Sequence, residues 1–511
     1  MRALLVTSVG VTCAAALTLP LAAPASSAPV LSSASARPPS LTTEPRTDTT
    51  DTIDTSGTTG TSGTTTSDTT APDGAEPRAA KSAAEPAGST QSLPLAPLAV
   101  PSNRVAGAPV VQGLPQRDAR PFSLVGVVWD DAEAELHGTV QVRTRATGTT
   151  RWSDWQDVET HNADHAADLG SAEREGRTVR GATAPLWVGD SDGVEVRVRP
   201  ESPATPESPG SQDRAATPVQ LPEGMRLELV DPGQDPAPEP ARGAPANRAA
   251  VPAVFADTPP TAALPEVLTA EIAAASAVNA EVAELGASVI PALTQAETVE
   301  SVNLAPGAKP YIGPRPRIVT RKGWGADEKL RERNFGYTKS VKAAFVHHSA
   351  TGNNYTCKQA PSVLRSIYRY HVKSSGWRDF GYNFAVDKCG NIYEGRAGGV
   401  TKAVLGAHTL GFNTNTMGIA VLGSYGSTNP PAAAVTAVSK LTAWKLGLFG
   451  ANPKGKVTLV SGGSNKYRKG VKVKMNVISG HRDGFATECP GARLYKKLGT
   501  ARTSSAKLQG R

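Results

Sequence analysis

Val341-Lys-Ala-Ala-Phe-Val-His-His348 decides how the C-terminal part of this 511-residue chain is read. The run is apolar enough for a buried strand, and strand alternation puts Ala343, Phe345 and His347 on one face and Ala344, Val346 and His348 on the other. Only one of the two adjacent histidines can then serve a given metal. Working outward, a helix is expected from near Pro361, a residue suited to a first helical turn. Val363, Ile367, Tyr370 and His371 follow at helical spacing, and Gly376 closes it. Tyr382 to Asp387 and Asn391 to Arg396 flank Lys388-Cys-Gly and predict a β-hairpin. A strand over Gly418 to Leu422, a helix over Ala432 to Leu448 and a strand over Val477 to Ser479 complete the pattern. The fold class expected for residues 311–498 is α/β, a mixed β-sheet flanked by helices.

A second histidine and a cysteine lie downstream, in Gly480-His-Arg-Asp-Gly-Phe-Ala-Thr-Glu-Cys-Pro490. His347, His481 and Cys489 would give a metal two imidazoles and one thiolate. Three protein ligands are what a catalytic zinc takes when its fourth position stays open. Such a site lowers the pKa of water from about 15.7 toward about 7 and so supplies a nucleophile at neutral pH. No His-Glu-x-x-His pattern is present, which disfavours that class of protease.

Residues 311–511 carry 33 Lys and Arg against 8 Asp and Glu; residues 1–310 carry 21 against 38. An asymmetry of that size speaks to partners, not to fold: an anionic wall or membrane surface, or nucleic acid. Export favours the first. Met1-Arg2 precedes an apolar run to about Ala23 that ends in small residues, the layout of a secretory signal over residues 1–28. The chain is therefore expected to be secreted or wall-associated, with no membrane span after cleavage and no nucleic-acid partner.

Residues 29–103 are rich in Ser, Thr and Pro and have too little apolar side chain to offset ordering entropy, so disorder is expected. From 104 to 232, segments Phe122 to Trp129, Thr139 to Thr144, Arg151 to Val158, Leu186 to Val198 and Met225 to Val230 predict a small all-β, sandwich-like domain. Trp152 and Trp155 in Arg151-Trp-Ser-Asp-Trp are read as core, with a sugar-stacking face as the sharper alternative. Residues 233–310 return to Pro and Ala and read as a linker holding a helix within Leu264 to Leu285. Residues 499–511 read as a basic tail. With Cys13 in the signal and Cys489 given to metal, Cys357 and Cys389 are left to pair; the disulfide would close a loop of 31 residues.

Val346-His-His-Ser-Ala-Thr-Gly, Gly376-Trp-Arg-Asp-Phe-Gly-Tyr-Asn-Phe, Tyr393-Glu-Gly-Arg, Gly406-Ala-His-Thr and Gly480-His-Arg-Asp with Cys489-Pro occur in this order. Together they resemble the peptidoglycan recognition proteins and the phage T7 lysozyme-type N-acetylmuramoyl-L-alanine amidases. The resemblance implies a zinc amidase whose ligands are His347, His481 and Cys489, with Tyr382 as the active-site tyrosine and Thr487 as a second catalytic candidate. It implies peptidoglycan, stem peptide and muramic acid together, as the partner; anionic wall polymers are a further candidate for the basic surface. His371, Trp377, Arg396, His408 and Asn413 are candidates for the substrate groove, His371 and His408 being equally readable as structural. Family members that lack the cysteine bind without cleaving, so Cys489 favours an enzyme over a non-catalytic wall-binding protein. After Arg396 the chain departs from the family, with Ala397-Gly-Gly-Val-Thr before Gly406, and the stem-peptide preference stays open.

Overall fold

The computed structural model describes residues 88–98, 110–160, 165–201, 220–236, 268–302 and 310–511. The signal-like run and most of the Ser/Thr-rich stretch lie outside them. Two regions share these residues, an N-terminal all-β accessory region and a C-terminal α/β region.

The accessory region is a sheet of eight strands among the described residues: β1 (Thr90–Pro94), β2 (Ala96–Pro97), β3 (Gln112–Trp129), β4 (Gly138–Ala146), β5 (Gln156–Val158), β6 (Gly181–Ala182), β7 (Leu186–Pro200) and β8 (Arg226–Val230). The main path runs β1-β8-β3-β7-β4-β5, with β2 and β6 also paired to β3. Period-two alternation sends Val125, Val127 and Trp129 of β3 into a core with Val140 and Val142 of β4 and Val194, Val196 and Val198 of β7. Leu124 and Val128, on the opposite face of β3, are also fully buried, but in a different cluster. That explains why Phe122 to Trp129 is nearly all apolar: a strand covered on both faces has no wet side.

Three expectations are corrected here. β1 falls within the stretch read as disordered, yet it pairs antiparallel with β8 from Thr90 to Pro94. Five residues of edge strand in Ser/Pro-rich surroundings carry little local signal. Of Arg151 to Val158 only Gln156–Val158 is strand, and Trp152 makes a single bridge with Arg145. Trp152 and Trp155 are half-buried rather than core, with Arg143 within 5.6 and 5.1 Å of their rings and Arg197 3.9 Å from Trp155. Cation–π stacking satisfies their faces where an apolar core would otherwise have to.

The C-terminal region holds a mixed sheet of seven strands among the described residues. Its strands are β9 (Val289–Ile290), β10 (Ile318–Val319), β11 (Ala343–His348), β12 (Phe384–Val386), β13 (Ile392–Glu394), β14 (Thr416–Val421) and, beyond a separate hairpin of β15 (Lys456–Val460) and β16 (Lys472–Asn476), β17 (Ile478–Gly480). Their order is β17-β11-β14-β12-β13-β10-β9, with β11 parallel to both neighbours. The helices are α1 (Ala270–Ala277), α2 (Gln295–Glu300), α3 (Ala360–Arg369), α4 (Ala432–Leu448), α5 (His481–Gly484), α6 (Ala492–Tyr495) and α7 (Leu498–Leu508). On one face Val346, Ile419 and Val421 pack against Val438, Leu441 and Trp444 of α4 and Leu498 of α7. On the other, Ala385 and Ala420 meet Val363, Leu364 and Ile367 of α3.

Residues 268–302 of the segment expected to be a linker, and the expected basic tail, are both part of this fold. β9 pairs antiparallel with β10, and Asn279 Nδ2 donates to the buried Glu394, 2.8 Å away. The tail is α7, whose buried Gln509 side chain, just past its end, donates to the Ala443 carbonyl at 2.9 Å. Two-residue strands are decided by tertiary pairing that composition does not reveal, while the helix expected within Leu264 to Leu285 is found as α1.

Nor are the two regions beads on a string. Leu124, Val128, Trp187 and Val230 share one apolar cluster with Trp324, Val363, Ile367 and Tyr370. The Tyr370 hydroxyl donates to the Thr183 carbonyl at 3.1 Å, and its ring lies where a side chain at Gly126 would have to be. At roughly 1.5–3 kcal/mol for each fully buried large aliphatic or aromatic side chain, this interface is a core and not a casual contact. Cys357 and Cys389 form a disulfide, Cα–Cα 6.2 Å, tying the start of α3 to the β12–β13 turn.

Candidate metal centre and substrate groove

His347 is the penultimate residue of β11, in the interior of the sheet, and is fully buried. β17 lies beside β11 and delivers His481 at the first position of α5. The chain returns after α5 to place Cys489. Its turn is held by the Cys489 N–H donating to Thr487 Oγ1 at 3.2 Å and by Arg482 N–H donating to the Cys489 carbonyl at 2.9 Å. Thr487 therefore fixes the cysteine loop through its hydroxyl.

A fourth donor converges on the same point: His165, from the accessory region. The ligating atoms of His165, His347, His481 and Cys489 all lie within 4.8 Å of one another, and all four residues are buried. His165 Nε2 is 3.2 Å from His481 Nδ1 and 3.5 Å from Cys489 Sγ, and that sulfur is 3.7 Å from His347 Nδ1. Zinc bond lengths of about 2.0–2.1 Å to nitrogen and about 2.3 Å to sulfur imply tetrahedral edges of about 3.3–3.4 Å between nitrogens and about 3.5–3.6 Å from nitrogen to sulfur. These three separations match that tetrahedron, and an N₃S donor set suits zinc. Burial first, then the neighbouring imidazoles of His481 and His165, hold His347 well below its ordinary pKa, in the neutral form that ligates.

Behind His347, its Nε2 lies 3.4 Å from Thr409 Oγ1, which is itself 3.0 Å from His408 Nδ1. His408 is fully buried against the bare backbone of Gly418, where a Cβ would strike its ring. It lies behind His347, linked to it through Thr409 and buried from solvent. Such outer partners set a ligating ring's orientation and tautomer. His371 stacks on Trp377 at 4.4 Å and accepts the Gly381 N–H at 3.2 Å; burial pulls it down to about 3, so the ring is neutral. The Tyr382 ring is 5.3 Å from His347 and 5.7 Å from His165. The segment carrying it, just before β12, is anchored by a buried ion network, in which Arg321 pairs with Glu328 at 2.7 Å and with Asp379 at 3.1 Å. Asp379 in turn accepts the N–H groups of Phe380 and Ala397 at 2.7 and 2.9 Å.

The other groove candidates meet the accessory region. Arg396 is buried in an ion pair with Glu173. Asn413 Nδ2 donates to the Ala166 carbonyl at 2.9 Å and to Asp168 at 2.8 Å, while its Oδ1 accepts the His408 and Thr409 N–H groups. The Trp377 carbonyl accepts from Arg177 at 3.2 Å. What stays open is a cleft of about 420 Å³ beside the metal cluster, lined by His165, Leu169, Trp377, Arg468, Lys469 and Phe485.

Sequence reasoning missed His165, Asp168 and Glu173. The available signal was His161-Asn-Ala-Asp-His165 in a chain with only 8 histidines. Nothing in that spacing says that one of them meets a strand in another region.

A family model described as N-acetylmuramoyl-L-alanine amidase matches residues 337–492, and one described as Rv3811 N-terminal galactose-binding domain-like matches residues 63–219. Peptidoglycan-recognition protein SC2 of Drosophila simulans is 32% identical over 185 residues, covering 36% of this chain and 85% of that protein. This chain belongs to the peptidoglycan-recognition protein family. Human N-acetylmuramoyl-L-alanine amidase is 31% identical over 194 residues, 36% of this chain and 28% of that protein. Among solved structures, wild-type Drosophila PGRP-LB covers 36% of this chain and 92% of its own at 24% identity, TM-score 0.29. The candidate metal cluster of this family member thus draws three donors from the region that matches its relatives and one, His165, from the region in front.

Proposed function

We propose that this peptidoglycan-recognition family member is a secreted zinc-dependent N-acetylmuramoyl-L-alanine amidase, cutting the amide between the lactyl group of N-acetylmuramic acid and L-Ala. The observation that carries the reading is the convergence of His347, His481 and Cys489, whose donor atoms lie within 4.8 Å of one another, beside the buried Tyr382. Zinc held there supplies Lewis acidity and a water nucleophile at neutral pH.

The chain's own residues do the rest. Tyr382 is placed to donate a hydrogen bond to the carbonyl oxygen as negative charge develops on it; a donor of this kind typically contributes about 10² to 10³ in rate. Thr487 holds the cysteine loop, and Thr409 with His408 holds the His347 ring. His371, neutral and stacked on Trp377, walls the Tyr382 side of the groove, and Arg396 and Asn413 offer it a charge and an amide. The surplus of basic residues in 311–511 suits an anionic wall, and the signal-like N-terminus supports export to it.

The test compares wild type with Cys489→Ser on purified muropeptides. The amidase reading expects stem peptide to be released by the wild type, with both zinc and release lost in the variant. Zinc-loaded protein with an open groove that binds muropeptides and leaves them intact would make this a binding protein instead.

A further inference from the structure

We propose that His165 is a fourth protein ligand of the metal, and that the accessory region thereby holds the amidase closed. The inference rests on the amidase reading above. A catalytic zinc keeps one position open, whereas four protein ligands make the closed arrangement of a structural site. This chain carries both descriptions at once: three donors on the α/β region, and a fourth that reaches in from outside.

The contact is not an isolated one. The segment that carries His165 lies along the groove and occupies its candidate binding groups in turn. Asp168 accepts from the Gly411 N–H at 2.7 Å and from Asn413 at 2.8 Å. Glu173 takes Arg396, and the carbonyls of Glu173 and Glu175 accept from Arg378 at 2.8 and 2.9 Å. Arg177 donates to the Trp377 carbonyl, and Arg180 N–H to the Ser375 carbonyl at 3.1 Å. The Thr178 carbonyl sits over Gly376, which has no side chain to obstruct it. A peptide segment that lays carboxylates on the arginine and asparagine groups of a groove, with a donor atom on the metal cluster, is what a competing intramolecular ligand looks like.

Being in the same chain, the segment acts at a high effective concentration, and a muropeptide must displace it. The shared core between the two regions keeps it in register. Opening therefore means withdrawing this segment from the groove while the interface beneath stays packed. If the open form is a minor state populated at about 1–10%, removing the plug raises turnover roughly 10- to 100-fold.

The experiment uses the full chain, zinc-loaded for X-ray absorption and Co(II)-substituted for water-proton relaxation, as wild type, His165→Ala and Asp168→Ala. Three imidazoles and one thiolate are expected in the wild type and two imidazoles and one thiolate in His165→Ala, with solvent gaining access to the Co(II). Asp168→Ala keeps every ligand and loosens the segment, so its relaxation should fall between the two; this guards against a misfolded first variant. Two imidazoles in the wild type, or identical spectra for wild type and His165→Ala, would overturn the proposal. Stem-peptide release, followed in parallel, separates it from the amidase reading. An opened site with no release removes the amidase and leaves the fourth ligand standing. Equal release from wild type and His165→Ala removes the latch and leaves the amidase standing.

Discussion

The floor and the roof of the metal cluster are built by different means. His347, His481 and Cys489 make the floor, on a central strand, at a helix start and on a hydrogen-bonded turn, with the ion network of Arg321 and the disulfide behind the same sheet. The roof, His165 to Arg180, contains only the short helical turn Ala172–Arg174 before β6 begins at Gly181 and is fastened by polar contacts. Floors of this kind open only when the fold opens, while segments with few buried apolar contacts open locally at low cost. On the proposed reading, the floor donors serve the amidase and the roof donor serves its control.

That comparison can be broken from the floor. Arg321→Ala should be the most damaging change, costing about 3–5 kcal/mol, because Asp379 is left as an uncompensated buried charge and Glu328 keeps only Arg331; urea unfolding reads it, and a cost below about 1 kcal/mol would mean the network does not anchor the Tyr382 segment. Replacing both Cys357 and Cys389 by Ser should cost roughly 3–4 kcal/mol for a loop of this length in the chain-entropy model. Tyr382→Phe should leave stability and zinc content alone and lower kcat by about 10² to 10³. Unchanged kcat would take the tyrosine out of the mechanism.

The smallest effect concerns pH. Burial pushes Glu394 up to about 7 from its ordinary 4.5, against the opposing pull of Asn279 and Arg321. The folded state then holds a proton that the unfolded state has lost between pH 4.5 and 7. Stability should fall as pH rises through that window and level off above it, by on the order of 3 kcal/mol at most. Comparing unfolding midpoints of wild type and Glu394→Gln at pH 5 and pH 8 isolates this group; equal pH dependence in the two would refute it.

The floor was largely legible in the sequence and the roof was not. The apolar run ending in His347 and His348, the helix over Ala432–Leu448 and the hairpin around Lys388-Cys-Gly have the periodicities and turn residues that local physics requires, and each lies where it was expected. β1 and β9 have no such signal, since short strands in Pro- and Ala-rich surroundings are set by distant partners, whereas α1 falls within the helix expected over Leu264 to Leu285. Trp152 and Trp155 misled because burial was assumed to need apolar neighbours, whereas arginines cover them. His165 was invisible for a further reason: its role depends on how two regions dock, and that docking is written in Phe122 to Trp129, whose second buried face gave no hint of what covers it.

The most direct test of the account is to incubate zinc-loaded His165→Ala with muropeptides and weigh the products. The account predicts free stem peptides beginning with L-Ala, and glycan ending in intact N-acetylmuramic acid, formed faster than with the wild type. Muropeptides that remain whole while bound to the zinc-loaded variant would contradict it.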